Sequence, residues 1–158
     1  MSIAAMVMRS YRAPGAVIDE WLSRPRHEGR LLAMLMAGCV MIGLSTLPHL
    51  LAQPGDVPRD ARIAAVMFAW LAIAPLAFYG IALLIDGIRR VFGRGSNGYE
   101  TRLALFWTML AATPFWLLNG IGLTIPEPAI RSALGLAAFC GALILGVMNL
   151  RAAYRHVQ

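Results

Sequence analysis

The sequence predicts an all-α polytopic membrane protein, an antiparallel bundle of four transmembrane helices preceded by a short amphipathic, interfacial helix. Three observations carry that reading. Apolar residues make up 59% of the 158 and charged residues 14%, with a mean hydropathy of +0.65, whereas a soluble domain lies nearer half and a quarter. Four apolar runs each reach the roughly 20 residues that a helix needs to cross a hydrocarbon core of about 30 Å. The arginines gather on alternate connections between those runs. The length is that of a single domain.

Residues 1–30 form a polar, basic lead. Within it, residues 14–24 read as a short helix with Val17, Ile18, Trp21 and Leu22 on one face and Asp19 and Glu20 in the early turns, where acidic groups suit the helix dipole. Trp21, followed by Arg24, Arg26 and Arg30, suits the lipid headgroup layer. The other reading packs the same helix on the bundle as an ordinary cytoplasmic segment. No secretory signal pattern is visible, because the first long apolar run starts near Leu31 behind five arginines and continues too far; the N-terminus is expected to be retained.

The spans are expected at 31–51, 63–85, 103–123 and 130–150. Backbone polar groups in lipid must be satisfied within the segment, so such runs become helices. Gln53-Pro54-Gly55-Asp56 and Pro126-Glu127-Pro128 are turn chemistry in the two outer connections, and short connections make neighbouring helices antiparallel. Every basic residue but histidine is an arginine. Eleven lie in the lead, the middle connection and the tail (151–158), against three in the outer connections. The positive-inside rule then places both termini in the cytoplasm, and the exclusive use of arginine over lysine, a mark of GC-rich coding, suggests a bacterial source and so an inner membrane. Arg89, Arg90, Arg94 and Arg102 of the middle connection join Arg24, Arg26 and Arg30 as contacts for anionic lipid headgroups. Nucleic acid is not expected as a partner, since the arginines flank apolar spans rather than line a polar face.

No Asp, Glu or Arg is expected within a span away from its ends, so the usual pointer to a proton or ion path is missing. His49 reads as an interfacial polar residue, and Cys39 and Cys140 as small packing residues rather than a disulfide or a metal pair. Three spans carry a proline four residues after a leucine: Leu44 and Pro48, Leu71 and Pro75, Leu110 and Pro114. Proline cannot donate to the carbonyl four residues back, which predicts kinks at Pro75 and Pro114. Kinked packing is one consequence. A polar path near Pro75, Thr113, Pro114 and Asn119 is the other. Small residues run down the last span, with Ala133, Ala137 and Gly141 on one face and Ala138, Ala142 and Gly146 on the adjacent one. Such ladders allow close helix approach, either within the bundle or to a partner. Asn119 and Asn149 are candidate interhelical hydrogen-bond formers.

The middle connection and third span, with Gly93, Gly95, Ser96, Arg102, Leu103, Phe106, Ala111 and Pro114, resemble the membrane domain of the Yip family. The basic lead with Pro14 and Trp21 is similar to bacterial members, and the resemblance covers about residues 14–150. It implies a small polytopic membrane protein and transfers no catalytic residue. Eukaryotic members are associated with Rab-type GTPases and membrane traffic, a partner that a bacterial source would not supply. The family is usually described with five spans where four are counted here, and the lead helix is the candidate for the fifth.

Motifs of nucleotide loops, zinc proteases, serine hydrolases and dithiol redox sites are not found. The expected role is therefore non-catalytic, without metal or cofactor: an accessory, assembly or organising subunit acting on other integral membrane proteins or as a homo-oligomer. A small transporter or channel-like protein is the alternative.

Overall fold

The computed structural model describes residues 2–54, 56–93 and 98–155. Among these the regular structure is entirely helical. Four helical stretches are long and apolar enough to cross a membrane: Glu28–Ala52, Arg59–Val91, Gly98–Gly122 and Pro128–Tyr154. Each is longer than its apolar run, because the helix continues past the last apolar residue into the arginine-bearing ends.

Two short helices precede the spans, α1 (Ile3–Ser10) and α2 (Pro14–Leu22). The Ser2 hydroxyl accepts from the Ala5 amide to cap α1, and proline occupies the first turn of α2, where a missing N–H costs nothing. α1 is absent from the sequence reading, since eight residues between polar flanks give too few turns for a clear period. The apolar face of α2 is covered by the protein. Val17, Ile18 and Trp21 are buried, and the Trp21 ring lies 5.4 Å from that of Trp107. Trp21 therefore does not present its ring to headgroups: the bundle covers it together with Val17 and Ile18, while Leu22 is half-buried.

The first span is one helix, α3 (Glu28–Ala52), which passes Pro48 without a break. The second is α4 (Arg59–Phe68), a π-helical turn at Ala69–Ile73, and α5 (Ala74–Val91). The π turn, in which the Ala74 amide reaches back to the Ala69 carbonyl, sits immediately before Pro75 and absorbs the missing donor. Gly93 ends this helix in the left-handed region at φ 67°, with its amide on the Arg90 carbonyl. The third span is interrupted as α6 (Gly98–Ala111) and α7 (Thr113–Gly122), and the fourth is α8 (Pro128–Tyr154).

At the α6–α7 break two carbonyls lose their helical donors, and each finds another. Leu110 accepts from the Thr113 hydroxyl at 2.8 Å, and Ala111 accepts from the Tyr11 hydroxyl at the end of α1. The kink expected from Pro114 is thus stitched from within and from the N-terminal hairpin.

Contacts order the spans. Between the first and third spans, Glu28 meets Arg102, Gly38 lies against Met109 and Leu110, and Gly120 against Ser45. Between the third and fourth spans, Gly122 meets Leu134, Gly141 meets Phe115, Asn149 meets Thr108 and Tyr154 meets Thr101. Arg62 of the second span donates to the Leu50 and Gln53 carbonyls of the first. The core lies between α3 and α6, with α1, α2 and the end of α8 closing it: Leu31, Leu35, Leu103, Phe106 and Trp107 are fully buried there.

Candidate functional site

The second, third and fourth spans converge on buried polar chemistry at the arginine-rich end. Asp86 stands in α5 five residues before its end, one position beyond the apolar run that stops at Ile85. The turn back into α6 sets it opposite the first turn of that helix, where Gly98 leaves room for the carboxylate and Thr101 supplies a hydroxyl. Tyr154, in the last turn of α8, reaches the same point. Thr101 donates to Asp86 Oδ1, which leaves the Thr101 oxygen to accept from the Tyr154 hydroxyl at 2.8 Å. The result is a directed chain from phenol to alcohol to carboxylate. Asp86 and Thr101 are almost wholly shielded, and the Arg89 guanidinium covers the Tyr154 ring at 3.4 Å from its centroid.

A second layer ties the lead and first span to this group. Glu100 is buried, with Arg26 4.0 Å away, and Arg26 also lies over the Tyr99 ring at 5.7 Å. The Tyr99 hydroxyl accepts from the His27 amide at 3.5 Å, and Arg102 donates to Glu28 at 2.6 Å. Arg24 pairs with Glu20 at 2.8 Å, and both Arg24 and Arg30 cover the Trp21 ring. Most of the arginines expected to meet headgroups therefore also hold aromatic rings or acids of this chain. Arg90 is exposed, and Arg94 lies outside the described residues, as do Gly95 and Ser96 of the loop motif.

Deeper along α6, the buried Asn149 donates through Nδ2 to Thr108 at 2.8 Å, and Thr108 donates to the Ala104 carbonyl at 2.6 Å. Trp107 Nε1 donates to Ser10 at 2.9 Å, and Ser10 in turn to the Met6 carbonyl at 3.0 Å. These polar groups are spent on joining helices.

The residues expected to line a polar path are not assembled into one. Pro75 is buried on α5, Pro114 is exposed on α7, and among the described residues α5 and α7 do not touch. Thr113 is committed to Leu110, and the Asn119 carboxamide packs on Gly135 of α8. The small-residue ladder divides. Ala138 is buried, Gly141 faces Phe115, and Ala142 and Gly146 line an apolar groove of about 330 Å³ with Phe78 and Trp116. Ala133 and Ala137 are exposed.

Sequence reasoning missed the Asp86 chain because the apolar run ends at Ile85 and the acid was assigned to the connection. Ile88, three residues on, was the available signal that the helix continues. It also missed two close approaches to backbone between the first and third spans, at Gly38 and Gly120. No family model, curated protein or solved structure matches this chain.

Proposed function

We propose that this is a four-span protein of a bacterial inner membrane, running up and down with both termini in the cytoplasm. It works without catalysis, through helix contacts, as an accessory, assembly or organising subunit of a membrane complex. One observation carries this reading, the unequal burial of the spans. The most apolar windows of the first and third spans are each 44% buried, against 11% in the second and 17% in the fourth. Two spans form the inside, and two turn long apolar faces outward. On the fourth, the outward face includes Ala133 and Ala137, side chains small enough for another helix to approach closely. The commitment of Asp86, Thr101, Thr108, Thr113 and Asn149 to partners within the chain agrees with a packing role. The arginine distribution supports the orientation. The Yip-like loop and third span support placement beside that family's small polytopic members, and a headgroup role for the exposed Arg90 fits the same placement.

A C-terminal tag, extraction in a mild detergent from cells that make the protein, and mass spectrometry of what co-purifies test this directly. The expected result is one or a few integral membrane proteins in fixed stoichiometry. A homo-oligomer without other partners would favour the transport alternative. Recovery only as a stable monomer would overturn the contact role.

A further inference from the structure

A groove of about 520 Å³ opens between α1, α7 and α8, lined by Met8, Tyr11, Phe115, Gly141, Ile144 and Met148. Its position follows from what surrounds it. Tyr11 bonds to Ala111 and stacks edge-on to Phe115 at 5.4 Å, so the hairpin end of α1 lies well inside the third span from Arg102. At 1.5 Å per residue, Ala111 is about 13 Å along the helix from Arg102. Under the orientation proposed above, the groove therefore lies within the cytoplasmic leaflet. Exposed Ile3 and Met8 on α1 suit that depth.

The charged end of the groove is built from both of its walls. On α8 the lining residues Gly141, Ile144 and Met148 fall on one helical stripe, and the same stripe continues to Arg151 and Arg155. From the other wall comes Arg12, in the turn beside Tyr11. Gly15, three residues further, lies about 4.0 Å from the Arg155 guanidinium, measured from where a Cβ would stand. Arg12, Arg151 and Arg155 are exposed, and none forms an ion pair with an acid among the described residues. From Arg155 to Gly141 is about 21 Å of helix, enough to pass from the headgroup layer across one half of a hydrocarbon core of about 30 Å. An apolar slot of leaflet depth headed by three exposed guanidiniums has the polarity of a phospholipid.

We propose that this groove binds one anionic phospholipid, an acyl chain lying against Met8, Phe115 and Ile144 and the phosphate held by Arg12, Arg151 and Arg155. The proposal rests on the membrane reading above, and it identifies a lipid rather than a protein partner. Arginine forks match phosphate oxygens, and basic pockets between spans on the cytoplasmic side take acidic headgroups. The lipid would also lie against α1, which carries the Tyr11 bond to the third-span break.

The test is native mass spectrometry of the full-length protein in detergent micelles supplemented with phosphatidylglycerol or phosphatidylcholine. The expected result is one phosphatidylglycerol retained per chain, at least tenfold in preference to phosphatidylcholine and undisturbed by millimolar inorganic phosphate. The triple variant Arg12→Ala/Arg151→Ala/Arg155→Ala should lose that preference, while Arg131→Ala at the other end keeps it. Ile144→Trp, which fills the slot from an exposed position, should weaken retention of both lipids. Equal retention of the two lipids by the wild type, full preference in the triple variant, or displacement by inorganic phosphate would each overturn the proposal. Recovery of the protein from cells without detergent would overturn the membrane reading beneath it, a result separable from loss of lipid preference.

Discussion

Replacing Gly120 by alanine should destabilise the protein by about 3 kcal/mol, the upper end of penalties for overfilling a packed interior. A Cβ at this position would overlap the Ser45 carbonyl oxygen and stand 2.9 Å from the Ser45 Cβ. What must yield is therefore backbone of the first span. That backbone is fixed in turn at Gly38, where a Cβ would meet the Leu110 amide nitrogen at 3.2 Å. At these two glycines the spans approach backbone to backbone, so a shift at one is felt at the other. Gly80→Ala is the matched control, because a Cβ there meets nothing within 4 Å; it should change stability by no more than about 1 kcal/mol, in the stabilising direction if any. Equilibrium unfolding in mixed micelles reads both. Equal effects at the two glycines would contradict the close approach of the first and third spans.

The second large effect is expected at Thr101. Thr101→Val keeps the shape and removes the hydroxyl that links Asp86 to Tyr154. It should cost about 2–3 kcal/mol, because a buried carboxylate loses a charge-assisted bond and a half-buried phenol loses its acceptor. Thr101→Ser, which retains the hydroxyl, should cost about 1 kcal/mol or less. Combining Thr101→Val with Asp86→Leu should cost clearly less than the sum of the two single changes, since both remove the same bond. Additive losses would mean that Thr101 and Asp86 stabilise the fold independently and that the chain from Tyr154 is incidental.

What could be read from the amino acids differs between these two regions for a physical reason. Span count and helical state follow from run length and from the need to satisfy backbone groups in lipid, both local properties of Leu31–Leu51 or Ile63–Ile85. The break at Pro114 is equally local, since the missing donor is written in the residue. Which residue would repair it is not: Tyr11 stands a hundred positions away on a helix too short to announce itself. Trp21 illustrates the same limit. An aromatic ring among arginines suits the headgroup layer and a packed interface alike, and only the position of Trp107 decides between them. Small residues on the last span form a visible ladder, yet the close approaches to backbone are at Gly38 and Gly120, which belong to no such ladder. Asp86 was hidden by a boundary, because hydropathy ends a span where its apolar residues end, whereas a helix ends where its hydrogen bonds do.

The central claim is that the outward face of the fourth span meets another membrane protein. A photo-reactive amino acid placed at Ala133 or Ala137, with irradiation of intact native membranes, tests it most directly; the same probe at Ala138, which is buried, serves as the internal reference. The account predicts a discrete protein adduct of fixed mass from the two exposed positions and none from Ala138. Probes at Ala133 and Ala137 that capture only lipid, with the protein folded and fully incorporated, would contradict it.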